Sequence, residues 1–403
     1  MALSDFPSPE ELQTQIKKLA DAANSYNAAP GPVGLGSRMR MISQAQELIR
    51  SLTDPSDMGG VHIAQAMELV AIRTLLHLKA FHSMPPAGSI SLTALSQVTG
   101  AEEALLERLL RMAVCVGFIR QLENMEYAHT KFSLAYATTP GPGTFFQLVY
   151  DEGFLAIDNL HGFLQEKGFK EPVDQRYSPY TWRWGEEGKT VWEVMAQYPE
   201  RFQAFQTGLA HADATVPLTG FYDFSKLNTD GDRPILVDIG GGNGHSIMRI
   251  MEAHPKLPPH KFVLQELKEP AEEARKILPK EVAVMEHDFF TPQTLIGAKA
   301  YFLRRVMHDY SDVGCIDILK NIVPAMAYDS VVLLADFCFA ARTTPADLPI
   351  AAMDIGIFNM GGKERSEEGF KKILEAAGLE FVKLYRSEVG FGAIVEAKRP
   401  LPN

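Results

Sequence analysis

Cysteine is scarce in this chain: three among 403 residues, Cys115, Cys315 and Cys338. So few, so widely spaced and odd in number, they support neither a disulfide framework nor a cysteine zinc site. Each reads as a small buried apolar residue. Basic charge is short as well. Lys and Arg number 39 against 50 Asp and Glu, a formal net charge of −11, which argues against general nucleic-acid or anionic-membrane binding. No apolar run approaches the roughly 18 residues of a membrane span. The first residues, Met1-Ala-Leu-Ser-Asp-Phe, have neither a basic n-region nor an apolar h-region, so no signal peptide is expected. These absences predict a cytoplasmic protein. What is plentiful is ordinary globular material, 46% hydrophobic and 22% charged, enough chain for two or three cores.

The first 140 residues read as helical. Leu12, Ile16 and Leu19 mark an amphipathic helix over 8–28, residues 28–36 a Gly/Pro linker, and 38–52 a second helix. A long apolar helix is expected over 61–81. Leu92 to Gly100 then forms a short helix ended by glycine, 101–116 a longer one, and 118–128 a hairpin turning at Glu123-Asn124. Helix, helix and hairpin make a winged-helix pattern. Residues 91–140 carry four basic side chains against five acids, whereas a helix facing phosphates should be basic. Dimerisation is therefore the expected role, not DNA binding. Residues 141–220 read as connecting helices that gather Trp182, Trp184 and Trp192. They form either an apolar inter-domain core or one wall of a pocket for a flat apolar substrate.

From 221 to 403 strands and helices alternate. Strands are expected at 235–239, 261–265, 282–286, 300–304, 331–336, 380–386 and 392–397. The last two lack room for a crossover helix and must pair antiparallel. The chain is thus α/β, with a helical winged-helix N-terminal domain and a C-terminal, mostly parallel Rossmann-like sheet of seven strands. The first strand ends in Asp238 and enters a glycine loop with Gly240, Gly242 and Gly244. A dinucleotide fingerprint would need glycine at 245, which is His245. The spacing resembles motif I of the S-adenosylmethionine (SAM) methyltransferases. Glu266, 22 residues beyond Gly244, stands where a carboxylate would hold a ribose diol. Asp288 and Phe289 stand where an acid and an aromatic would meet adenine. His308 ends the fourth strand. Asp336 closes the fifth, and Glu364 precedes the last long helix. Either acid could orient the imidazole.

Asp-x-Gly-Gly-Gly-x-Gly, then His-Asp-Tyr-Ser-Asp, then Gly-Gly-Lys-Glu-Arg-Ser resemble, in order and spacing, the caffeate-type SAM-dependent O-methyltransferases of plants and fungi. The fungal secondary-metabolism branch is the nearest in look. The resemblance covers nearly the whole chain. It implies a homodimer, a SAM donor leaving S-adenosylhomocysteine (SAH), His308 as base, and Asp336 and Glu364 as its supporting acids. It places cofactor contacts on Gly240, Glu266, Asp288, Phe289 and Arg304. Glu266 stands where Asp is usual, Asp336 where plant enzymes have Glu, and Arg304 where they have Lys. The implied reaction is methyl transfer to a phenolic or enolic hydroxyl of an aromatic or polyketide-like molecule, with no metal. Ring-forming pericyclic chemistry on the same fold is the alternative. Candidate substrate contacts are Trp184, Phe205, Leu209, His211, Ile357 and Met360, with Asp213 and Asn359 as further polar candidates.

Overall fold

Ser8 opens the first helix, Pro9–Asn24, through a reciprocal cap. Its hydroxyl accepts from the Glu11 amide while the Glu11 carboxylate accepts from its own N–H. The computed structural model describes residues 6–29, 32–139, 141–201, 204–205, 207–208, 217–388 and 390–401. These fall into two compact units. One joins the described residues up to 152 with those from 200 onward to 208. The other joins 153–199 with the described residues beyond 216. The connecting stretch expected over 141–220 is thus shared between the two.

In the first unit the second helix starts earlier than its composition suggests. It runs Pro32–Leu52 and takes in Gly34 and Gly36, because proline at a helix start forfeits no hydrogen bond. The long apolar helix is Met58–His77. It stops short of 81 because Lys79 adopts a left-handed conformation (φ 54°), and a separate turn of helix, Ala80–Ser83, follows. Gly100 ends the helix Leu92–Thr99, also left-handed. Strands β1 (Ile90–Ser91), β2 (Ile119–Gln121) and β3 (Glu126–His129) form an antiparallel sheet in the order β1-β3-β2, with Asn124 at the expected turn. Leu75, Phe81, Leu95, Leu106, Leu110 and Tyr127 fill the core beneath it. Each such burial contributes about 1.5–3 kcal/mol before entropy is counted.

The second unit is a sheet of eight strands. They are β4 (Leu236–Ile239), β5 (Phe262–Glu266), β6 (Ala283–Glu286), β7 (Ala300–Arg304), β8 (Val331–Phe339), β9 (Arg365–Ser366), β10 (Glu380–Arg386) and β11 (Gly392–Lys398). The order is β10-β11-β8-β7-β4-β5-β6. Only β11 runs against its neighbours, and β10 pairs with it antiparallel. Every strand expected from the sequence is present within a few residues. The two-residue β9, pairing Cys338 with Arg365 and Phe339 with Ser366 at the end of β8, was too short to read. Successive residues alternate between two cores. Val237, Ile239, Tyr301 and Leu303 face one, while Leu236, Ala300 and Phe302 face the other. The chain reverses its winding beside β4, with β5 on one flank and β7 on the other. Ligands of open α/β sheets bind at the carboxyl ends of such strands. No helix among the described residues is long and apolar enough to cross a membrane.

Candidate active site

Two groups of side chains converge on the carboxyl ends of β4, β5, β7 and β8. The first surrounds the glycine loop. Asp238 is fully buried in β4. The Gly240 amide donates to the Gln265 carbonyl (2.8 Å), and Gly244 opens the helix His245–Ala253. Gly242 is left-handed (φ 56°), with open space where a Cβ would stand, so the loop there presents bare backbone. Its N–H donates to Glu266 Oε1 (3.2 Å), and the Leu267 N–H donates to Oε2 (2.6 Å). Burial pushes the Glu266 pKa up against the opposing pull of these two N–H groups. A carboxylate with two oxygens retains lone pairs for a diol. Asp288 is exposed and accepts from the Phe290 amide (2.9 Å). Phe289, Phe290 and Tyr310 meet as an aromatic cluster with edge-on contacts of 5.8 and 5.3 Å to Tyr310. Arg304 is buried at the end of β7. A nucleoside fits this set: a carboxylate beside a bare loop on one strand end, an acid and aromatic rings on the next.

The second group surrounds His308, which is 6% exposed. It lies in a turn just beyond β7. Its Nδ1 faces Glu364 Oε1 at 3.1 Å, and its Nε2 faces Asp309 Oδ1 at 3.3 Å. Burial and the Arg305 guanidinium push its pKa down, but Asp309 and Glu364 together push it further up, and the net direction is a rise. Burial raises Asp309. Glu364 goes the other way: His308 and Arg305 outweigh its burial and hold it low. Asp336, also buried, is pushed up to about 7 chiefly by desolvation. Its carboxylate has no hydrogen bond among the described residues, and its ion-pair partner is Arg305 Nη1 at 3.9 Å. Of the two acids expected to support the imidazole, Glu364 therefore touches the ring, and Asp336 has its ion-pair contact with Arg305.

The turn is held by groups that sequence reasoning missed. Arg365, 3% exposed, donates to the Met307 carbonyl (2.7 Å), the Tyr310 carbonyl (2.8 Å) and Asp312 Oδ1 (2.9 Å). The Lys363 amide donates to the His308 carbonyl (2.9 Å). Gln175 Nε2 donates to the Asp309 carbonyl (2.8 Å). Asp354, on the helix Leu348–Phe358, accepts from the Glu364 amide (2.8 Å). Ser311 Oγ caps the next helix by accepting from the Gly314 amide (3.3 Å). Only the paired Arg304-Arg305 at the end of an apolar strand, where charge is costly, hinted at Arg305.

The substrate candidates are more scattered. Met360 is buried and Ile357 half-buried at the end of the helix Leu348–Phe358. The Asn359 carbonyl accepts from the Tyr180 amide (2.9 Å), and Trp184 meets the Tyr180 ring edge-on at 6.4 Å. Trp182 is structural instead: its Nε1 donates to Glu166 (2.8 Å), and its ring packs on Phe163. Phe205 is half-buried in the other unit. Leu209, His211 and Asp213 lie outside the described residues.

Residues 168–380 match the model of a protein family described as an O-methyltransferase domain. Methyltransferase cfoD of Aspergillus candidus is 30% identical over 404 residues, covering 97% of this chain and 99% of that protein. The crystal structure of OxaC in complex with SAH and oxaline superposes with a TM-score of 0.87 at 26% identity, covering 96% of this chain and 99% of that one. A pericyclic reaction enzyme has the same fold, with a TM-score of 0.82 at 24% identity over 98% and 100% of the two chains.

Proposed function

Because this chain belongs to the O-methyltransferase family, we propose that it methylates a phenolic or enolic hydroxyl of an aromatic or polyketide-like small molecule, with SAM as donor and SAH as product. The observation that carries the reading is the buried imidazole of His308 with a carboxylate on each ring nitrogen. Asp238, Gly240, Gly242, Gly244, Glu266, Asp288, Phe289 and Arg304 would hold the cofactor. Bound there, SAM supplies a methyl group activated by a sulfonium.

The chain's own residues handle the proton. Glu364 accepts the Nδ1–H of neutral His308, which fixes the tautomer and leaves the unprotonated Nε2, beside Asp309, as the nitrogen that takes a proton. The substrate oxygen, relieved of its proton, attacks the methyl carbon. Transfer would form the C–O bond at the expense of the donor's C–S bond, while the proton stays on His308. Asp309 and Glu364 stabilise the imidazolium. A phenol near pKa 10 and a histidine near 6.5 differ by roughly 4.8 kcal/mol. The raised pKa of His308 narrows that gap from the enzyme's side. An aliphatic alcohol lies far outside it.

Support for a homodimer comes from the helix Met58–His77, which exposes Ile63, Met67 and Val70 at 65%, 52% and 41%. Surface of this kind is usually shared with a symmetric partner. The same reading takes the enzyme to be cytoplasmic, with no nucleic acid or membrane as partner. The test is mass spectrometry of candidate phenols incubated with the protein, with and without SAM. SAM-dependent gain of one CH2 supports it. Conversion at unchanged mass would assign pericyclic chemistry instead.

A further inference from the structure

Arg305 is not a residue that a methyl-transfer site requires, yet it occupies the centre of the acid cluster. It follows β7 directly, and its N–H donates to the Ala335 carbonyl (3.0 Å), beside Asp336. Its backbone is left-handed (φ 56°), which turns the chain out of the strand and toward His308. Its guanidinium lies over the Phe337 ring at 4.3 Å. From there Nη1 reaches Glu364 Oε1 at 3.0 Å and Asp336 Oδ1 at 3.9 Å. Glu364 Oε1 is the same oxygen that faces His308 Nδ1. One carboxylate oxygen is therefore shared between the imidazole and the guanidinium, and the same Nη1 forms the ion pair with Asp336.

We propose that Arg305 is a positioning residue for His308: it binds the two buried acids together, keeps Glu364 aimed at Nδ1, and sets the pH at which the imidazole takes and releases its proton. The proposal rests on the reading of His308 as the base. The groups facing His308 are Arg305 and Asp309 on its own turn and Glu364 on the loop before β9. Asp336 on β8 adds to its field, Asp354 lies behind Glu364, and Arg365 is seated on the Met307 carbonyl. The cation beside the ring opposes protonation of His308. Removing it also frees Glu364 to interact with the imidazolium alone. Both changes favour the protonated ring. Loss of charge on Asp336 works the other way, but that acid is already pushed up to about 7 and holds only part of its charge near neutrality. The net expectation is an upward shift.

The experiment needs no substrate. The His308 ring is followed by NMR in protein carrying labelled histidine, its signal identified by its absence in His308→Asn. Its titration is compared in the wild type, Arg305→Met and Arg305→Lys, each checked for folding by circular dichroism, with Arg305→Gln used if the methionine variant does not fold. The expected result is a midpoint raised by about 0.5–1 pH unit in Arg305→Met or Arg305→Gln and restored most of the way by Arg305→Lys. A folded variant without the cation whose midpoint stays within about 0.2 unit of wild type, or moves down, overturns the proposal. So does a lysine variant that shifts as far as methionine. A purely structural role for Arg305 would lower the melting temperature and leave the midpoint alone. If the wild type transfers no methyl group while the midpoint still shifts, the functional reading fails and the positioning role stands.

Discussion

Glu364 Oε1 lies 3.1 Å from His308 Nδ1, and both side chains are buried. The two residues stand 56 positions apart in the chain. They meet because the two-residue strand β9 hooks the segment just after Glu364 onto the end of β8. The imidazole and the carboxylate that meets it are thus fixed by strand ends.

Replacement of His308 by alanine should lower turnover by about 10²–10⁴, the usual contribution of one general base. SAM affinity should barely change, because the proposed cofactor residues other than Arg304 lie at the ends of β4, β5 and β6. Raising the pH should recover part of the rate as solvent ionises the phenol. A variant that methylates at the wild-type rate near neutrality removes His308 from the mechanism.

The pH profile follows from the direction of the His308 shift. The base acts in its neutral form, and its pKa is raised in the folded protein. Activity should therefore fall as the pH drops through a value above the ordinary histidine range near 6.5. Glu364→Gln removes a carboxylate that favours the imidazolium, so the acid limb of kcat/KM should move to lower pH while the maximum rate falls. An acid limb that stays put in this variant contradicts the assignment of Glu364.

At the other end of the site, Glu266→Ala should weaken SAM binding by roughly 1.5–3 kcal/mol, the range for a lost charge-assisted hydrogen bond. The same change leaves the Gly242 amide without its carboxylate partner. Titration calorimetry at one SAM per chain measures the loss. Unchanged affinity would mean that the ribose is held elsewhere.

Stability should depend heavily on Arg365. Its guanidinium satisfies two backbone carbonyls of the His308 turn and pairs with Asp312. Arg365→Met should cost about 2–4 kcal/mol, since buried acceptors then lose charged donors. Chemical denaturation reads the effect. A loss below about 0.5 kcal/mol would place this residue among ordinary surface positions.

Light scattering at micromolar concentration should return twice 44.6 kDa. Ile63→Glu combined with Met67→Glu should shift the protein toward monomer, as two charges enter the apolar face of the helix Met58–His77. A wild-type monomer, or a double variant that still dimerises fully, moves the interface away from this helix.

The sheet was legible because its signals are local. β4, β7 and β8 are apolar runs bounded by turn residues, and the Asp238 loop announces itself by its glycines. Gly100 was readable as a helix end for the same reason. What escaped was set by long-range contact. Lys79 ends a helix that its neighbours would continue. Asp336 was expected to close its strand, but β8 runs on to Phe339, and the ion-pair contact of Asp336 is to the Arg305 guanidinium. Arg365 looks like any charged residue before a helix until the chain folds and buries it beneath the His308 turn.

The left-handed backbone at Arg305 has a consequence for how this protein can be improved. An L-residue with a side chain loses roughly 1–2 kcal/mol in that conformation, a loss that glycine escapes. Glycine at 305 would relieve that strain but leave the buried Glu364 and Asp336 without their cation, which is the larger loss. Engineering for robustness should hold Arg305 constant and look for gains elsewhere.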